Sequence, residues 1–194
     1  VVILAADSYL DQETLHWLND NNRLPGSAVR AACPPGEAAV ALAVSSEPPA
    51  RIPGVAPASA MLRGIGVAHE PMIDVPEGVL GVGLTKALRL AAAGMRLPDE
   101  AVDDLYGDIN GERPRTEDWG FSLLRFPELV RENSNHQLTV GCMGDVGAAT
   151  GALGCMLAAC AWSRGYATGP RALVWAGSDS GLRAAVIVEH GEHR

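Results

Sequence analysis

Asp145-Val-Gly-Ala-Ala-Thr-Gly-Ala-Leu-Gly-Cys155 runs on without a charge to Ser163, and Ser178-Asp-Ser-Gly-Leu-Arg-Ala-Ala-Val-Ile-Val188 follows. The first stretch is the glycine- and alanine-rich start of a long apolar helix. Asp145 is placed to cap it, and Arg164-Gly165 supplies a basic last turn and a glycine just beyond. The second is a glycine turn leading into an apolar strand. Arg171 to Ala176 reads as a preceding strand, with Gly177 to Gly181 as a hairpin-type connection.

Upstream, Val79 to Met95 is the clearest helix, because Leu80, Leu84, Ala87, Leu88, Ala91, Ala92 and Met95 form one stripe and Pro98 follows its end. Ala101 to Ile109 turns strand-like after a polar start. Thr116 opens another helix, with Trp119, Leu123 and Phe126 on one face until Pro127 interrupts it. Leu138 to Met143 is expected as a short strand. At the other end, Val1 to Ala6 reads as a buried strand, Asp11 caps a helix to about Asn19 with Leu15 and Leu18 inward, and Glu37 to Val44 and Ala60 to Ala68 read as strands. Pro48, Pro49, Pro53 and Pro57 mark a surface linker. Strands alternating with helices in this order predict an α/β fold, a mixed sheet with helices on both faces. The closing pair of strands echoes the opening pair, as in a fold of two similar halves.

Composition narrows the function. The 194 residues carry a net charge of −8 and no basic run, which argues against nucleic acid and anionic membranes as partners. Val146 to Ser163 is short for a membrane span and rich in Gly, Ala and Cys, so a buried helix is the better reading. Cys33, Cys142, Cys155 and Cys160 lack metal or redox spacing and read as reduced thiols of a cytoplasmic protein. No signal-peptide pattern is present. The chain lacks a starting Met and opens mid-strand, so a C-terminal piece of a longer protein, or a processed one, is expected.

Candidate chemistry is sparse. Asp145 to Gly151 is neither G-x-G-x-x-G nor a Walker loop, so no nucleotide cofactor is expected. His16, His69, His136, His190 and His193 have no zinc spacing, so no metal is expected; His190 and His193 read as a solvated tail. Nothing matches G-x-S-x-G. Trp17, Trp119, Trp162 and Trp175 are spread over four elements as core or interface anchors. Asp108-Ile-Asn-Gly-Glu112 places two carboxylates and an amide at a strand end, where α/β folds present functional groups, although Asn110-Gly111 is equally good turn chemistry.

In order and spacing these segments resemble the β-ketoacyl synthase branch of the thiolase-like superfamily over nearly the whole chain. Ile3 to Asp7 resembles the strand after the nucleophile helix, and Pro35 to Ala39 the approach to the last strand of the N-terminal half. Asp108 to Glu112 sits where active synthases carry His-Gly-Thr-Gly-Thr, and Met143 to Gly151 matches their Gly-His segment followed by Gly-Ala-Ala-Gly. Ser178 to Gly181 matches the terminal glycine loop. The resemblance implies a thiolase-like fold, largely its C-terminal half. Residues 1–46 would end the N-terminal half, 47–59 would be the Pro-rich linker, and 60–194 the C-terminal half.

The departures bear on function. In active synthases two histidines stabilise developing charge on the thioester. The first aligns here with Asn110, and the second falls on Gly144 or on Asp145, depending on a one-residue shift. The nucleophilic Cys would precede residue 1. No catalytic residue is therefore expected, and the resemblance implies a degenerate synthase acting as a protein-binding adaptor. The alternative is an acyltransferase, a condensing enzyme with an atypical site, binding an acyl chain or acyl carrier protein. A narrower resemblance, carried by Asp7 to Asp11, Asp108 to Glu112, Arg164 to Tyr166 and Ser178 to Gly181, is to synthase-like proteins of bacterial type VI secretion clusters. It implies a co-chaperone that pairs with itself as a dimer or with an effector chaperone.

Overall fold

The computed structural model describes residues 1–26, 29–46, 60–73, 75 and 78–191, so the expected linker at 47–59 and His193 lie outside the described residues. In chain order the elements are β1 (Val2–Ser8), α1 (Gln12–Asp20), β2 (Glu37–Ala43), β3 (Ala60–His69), α2 (Val82–Ala91), β4 (Val102–Tyr106), α3 (Arg113–Arg125), β5 (Val130–Gln137), α4 (Val140–Met143), α5 (Thr150–Ser163), β6 (Arg171–Gly177) and β7 (Leu182–His190). β1 and β2 pair antiparallel as one sheet. The other has the order β3-β7-β6-β4-β5, antiparallel from β3 to β6 and parallel from β6 to β5.

β4 is buried along its whole length, as a central parallel strand must be. Its polar residues are satisfied at the strand's start: Asp104 accepts from the Thr168 amide and hydroxyl, each at 2.9 Å, and Asp103 pairs with Arg131 at 2.7 Å. On one face, Leu84 and Leu88 of α2 and Trp119 of α3 pack over Leu173, Trp175 and Ile187. β3 lies tightly beneath α2, which explains its glycines. A Cβ at Gly64 would meet the Ala91 carbonyl oxygen at 1.9 Å, and one at Gly66 the Ala87 oxygen at the same distance. On the opposite face Ala158 of α5 joins Tyr106, Ala172, Val174 and Val188. Leu153 of α5, with Val146 and Ala149 just before it, turns to Val40 of β2. The fold is thus the mixed α/β arrangement with helices on both sheet faces.

Several local expectations need correction. The residues predicted as a buried opening strand form β1, but Val2 and Leu4 are 64% and 77% exposed, because α5 covers only the side of this sheet that carries Ala5, Val40 and Leu42. α2 is shorter than the stripe predicts. Gly81 is left-handed (φ 93°), and the buried Glu70 carboxylate draws in the amides of Gly81 and Gly83 at 3.0 and 2.8 Å, which fixes the start at Val82. α3 starts at Arg113, with Pro114 in its first turn where a missing N–H costs nothing. The strand expected at 138–143 is instead β5, upstream. Its edge position leaves Arg131, Glu132 and Asn133 in solvent and so erases the apolar alternation, and Val140–Met143 is a single helical turn. Finally, Asp145 does not cap α5, whose N-cap is Ala149; its Oδ1 instead accepts from the Gly147 amide at 2.9 Å, at the start of a 3-10 turn, Gly147–Ala149.

Candidate functional site

The loops after β4 and before α5 bring the expected residues together. Asn110 is 2% exposed, and its Nδ2 donates to Asp145 Oδ2 at 2.7 Å and to Glu112 Oε2 at 3.0 Å. Its Oδ1 accepts from the Glu112 amide at 3.1 Å, so the side chain also holds the Asn110-Gly111 turn. Gly144 has φ 74°, and a Cβ there would lie 2.5 Å from the Pro35 carbonyl oxygen, which makes Gly144 a backbone contact with no reacting group. Asp145 is tied by its backbone as well: its amide donates to the Pro34 carbonyl at 2.7 Å, and its carbonyl accepts from the Gly36 amide at 2.9 Å.

Residues that no motif announced complete the cluster. The Arg23 guanidinium grips Glu112 with two nitrogens, at 2.5 and 2.8 Å, and reaches Asp179 with the third at 2.7 Å. Arg115 continues the chain from Asp179 (2.9 Å) to Asp108 (3.0 Å), and Asp108 accepts from the Gly177 amide at 2.6 Å. The buried Cys33 thiol donates to Asp145 Oδ2 at 3.3 Å. Asp7 accepts from the Ala148 amide at 2.8 Å, within the 3-10 turn that follows Asp145.

Burial, and then the neighbouring Asp145 carboxylate, pushes the Cys33 thiol up to about 12; the same two causes raise the Tyr9 phenol to about 12. Cys33 is therefore a protonated donor and a poor nucleophile at neutral pH. Burial raises Asp108 above the usual carboxylate range, against the pull of Arg115. Burial also acts to raise Asp179, but Arg23 and Arg115 outweigh it and hold its carboxyl low. The carboxylate oxygens of Asp145, Glu112 and Asp179 are thus engaged by amide, thiol or guanidinium donors.

The histidines make their contacts elsewhere. His69 Nε2 meets the Ser180 carbonyl at 3.0 Å, and His136 lies against Trp119 and Trp175. His190, expected as solvated tail, is the last residue of β7 and half-buried against Trp162 at 5.6 Å. Trp119 and Trp175 stack at 4.0 Å in the core, whereas Trp17 is 51% exposed beneath Arg23. Among the described residues, no group of His, Cys, Asp and Glu is arranged to hold a metal, and no helix is long and apolar enough to cross a membrane.

No protein-family model and no curated protein matches the chain. Solved structures do. The ishigamide ketosynthase/chain length factor superposes with a TM-score of 0.71 at 13% identity, over 98% of this chain and 54% of that one. A ketosynthase in complex with its chain length factor from Xenorhabdus doucetiae gives 0.72 at 15% identity, over 94% and 51%. A type II polyketide synthase acyl-carrier protein in complex with its ketosynthase gives 0.72 at 14%, over 98% and 56%. The chain has the thiolase-like fold of these ketosynthase and chain length factor proteins, and it spans about half the length of each.

Proposed function

We propose that this chain belongs to a catalytically silent ketosynthase-like protein that works through protein contacts. The observation that carries the reading is the Asn110–Asp145 hydrogen bond. The two positions at which the family resemblance expects charge-stabilising histidines hold an amide and either Gly144 or a carboxylate, and these groups satisfy one another. Asn110, Gly144 and Asp145 are on this reading the degenerate counterparts of catalytic residues, residues 1–46 end the N-terminal half, and residues 60–194 are the C-terminal half. Solved relatives of the same fold are found in complex with a chain length factor or an acyl-carrier protein, which supports a protein partner in general terms. For the finer setting, the sequence phrases at Asp7–Asp11, Asp108–Glu112 and Ser178–Gly181 favour a cytoplasmic co-chaperone of a type VI effector, paired with itself or with an effector chaperone.

Two measurements on the full-length protein test this. Malonyl-thioester decarboxylation should stay at background, and affinity purification from the native cells should recover the effector chaperone. Clear turnover would move the reading to an atypical condensing enzyme. Recovery of a ketosynthase or acyl carrier protein in place of a chaperone would keep the silent role and overturn the secretion setting.

A further inference from the structure

The β1–β2 sheet and the five-stranded sheet share no strand pairing, so something other than a ladder must fix one against the other. Part of the join is apolar, through Val40, Val146, Ala149 and Leu153, which are small or medium in size. The rest is polar. Arg23 and Cys33 lie between α1 and β2, and Cys33 donates its amide to the Arg23 carbonyl at 2.9 Å. The Arg23 fork spans to Glu112 and Asp179, and the Cys33 thiol reaches Asp145. The Glu112 side chain is only 12% exposed, and it shares the Asn110 amide with a second carboxylate, Asp145. Without Arg23 the pair Glu112 and Asp145, both partly buried, is left close together and short of positive charge. The cheapest relief for such a pair is water, admitted by lifting the stretch that covers it.

We infer that the chain Cys33–Asp145–Asn110–Glu112–Arg23–Asp179 is a clasp that holds the β1–α1–β2 unit on the five-stranded body, with Arg23 the link whose loss opens it while the body stays folded. The former reaction centre has on this view become a structural joint. Opening it would uncover Leu153 of α5 and the Val146 and Ala149 that precede it.

The cysteines report on this directly. Cys33 lies inside the clasp, Cys155 packs against the five-stranded sheet, and Cys142 is exposed as an internal reference. Alkylation of each thiol with iodoacetamide, followed by peptide mass spectrometry on the purified protein, gives three rates. In Arg23→Ala the Cys33 rate should rise on the order of 100-fold while Cys155 is unchanged, given the usual cost of stranding a buried charge. Arg23 favours the Cys33 thiolate electrostatically, so its removal alone would slow Cys33, and a faster rate reports opening. A Cys33 rate within threefold of wild type overturns the proposal. If Cys33 and Cys155 both accelerate, the variant has lost its body, and Glu112→Gln decides: a rise of about tenfold at Cys33 alone supports the clasp, and parallel or absent changes overturn it. None of these rates depends on whether the site turns over a thioester, so the decarboxylation assay tests the silent-enzyme reading separately.

Discussion

Asn110 and Asp145 stand 35 residues apart in sequence and meet at 2.7 Å, amide to carboxylate, at the point where the loop after β4 touches the turn before α5. The bond sets the electrostatic sign of the site. A group at position 110 faces Asp145 on one side and Glu112 on the other, so the position rewards donors and positive charge.

Restoring a histidine should therefore fail in an informative way. In Asn110→His the imidazole would sit between two carboxylates, and its pKa should rise by about one unit or more above 6.5. A raised value means the ion pairing stabilises the fold fully below the ordinary pKa and is lost as pH climbs through the raised one. NMR titration of the ring protons measures it, and decarboxylation should stay at background. A ring titrating at or below 6.5 would contradict this account of the site.

Asp145→Asn tests the other side of the same contact. Burial remains the larger cause of the raised Cys33 value, with the Asp145 charge second. Removing that charge should lower the thiol pKa from about 12 by about one unit, not all the way to the ordinary 9.0. Thiolate absorbance against pH, with Cys33→Ser as the blank, reads the change. An unchanged titration would mean that the carboxylate is too well screened to matter.

His136 should make the protein acid-sensitive near neutrality. Burial holds its ring below the ordinary 6.5, so the folded form keeps it neutral. As pH falls through 6.5 the unfolded chain takes up a proton that the folded chain refuses, and stability drops by up to ~1.4 kcal/mol per pH unit until the folded pKa is reached. Glu100 adds to the loss further down, between 4.5 and about 2, where the Arg96 amide and side chain hold it ionised. Burial-raised Asp108 and Asp118 work in the opposite direction. The decisive comparison is thus with His136→Phe, which should flatten the curve between pH 6.5 and 5 in urea denaturation; identical curves would remove His136 from the explanation.

Arg183 and Asp118 Oδ2 form a buried ion pair, with side chains 3% and 5% exposed, and Asp118 Oδ1 has no hydrogen-bond partner among the described residues. Arg183→Met should strand the carboxylate and cost about 3–5 kcal/mol, or roughly 10 °C in Tm for a chain of this size. Arg183→Met with Asp118→Leu should recover much of that, since the pair is replaced by apolar volume. If the double variant is less stable than the single by calorimetry, the stranded charge is the wrong explanation.

Much of the architecture was legible in local pattern. The stripe from Leu80 to Met95, the apolar run ending at Val188 and the Gly177–Gly181 turn each report one element, because burial on one face writes a period into the chain. Gly64 and Gly66 carry no such message in the sequence; only the close passage of β3 beneath α2 shows why no side chain fits there. β5 was not legible, since an edge strand with its polar residues in water has no apolar period to read. Asp145 was read as the cap of α5 and is not, because the 3-10 turn before α5 interposes itself and its carboxylate folds back on the nearby Gly147 amide instead.

What the sequence determined by itself is most of the elements, their α/β order, and Asn110, Gly144 and Asp145 as positions to inspect. Tertiary structure alone decided which groups those residues meet. Arg23 meets Glu112 across 89 residues and Asp179 across 156, and neither separation leaves any trace in the local sequence. Periodicity arises from burial along one element, whereas a charge finds its partner only after the sheets have brought distant loops together. Asn110 and Asp145 can be picked out of the sequence, but their network with Cys33, Glu112 and Arg23 exists only in the folded chain.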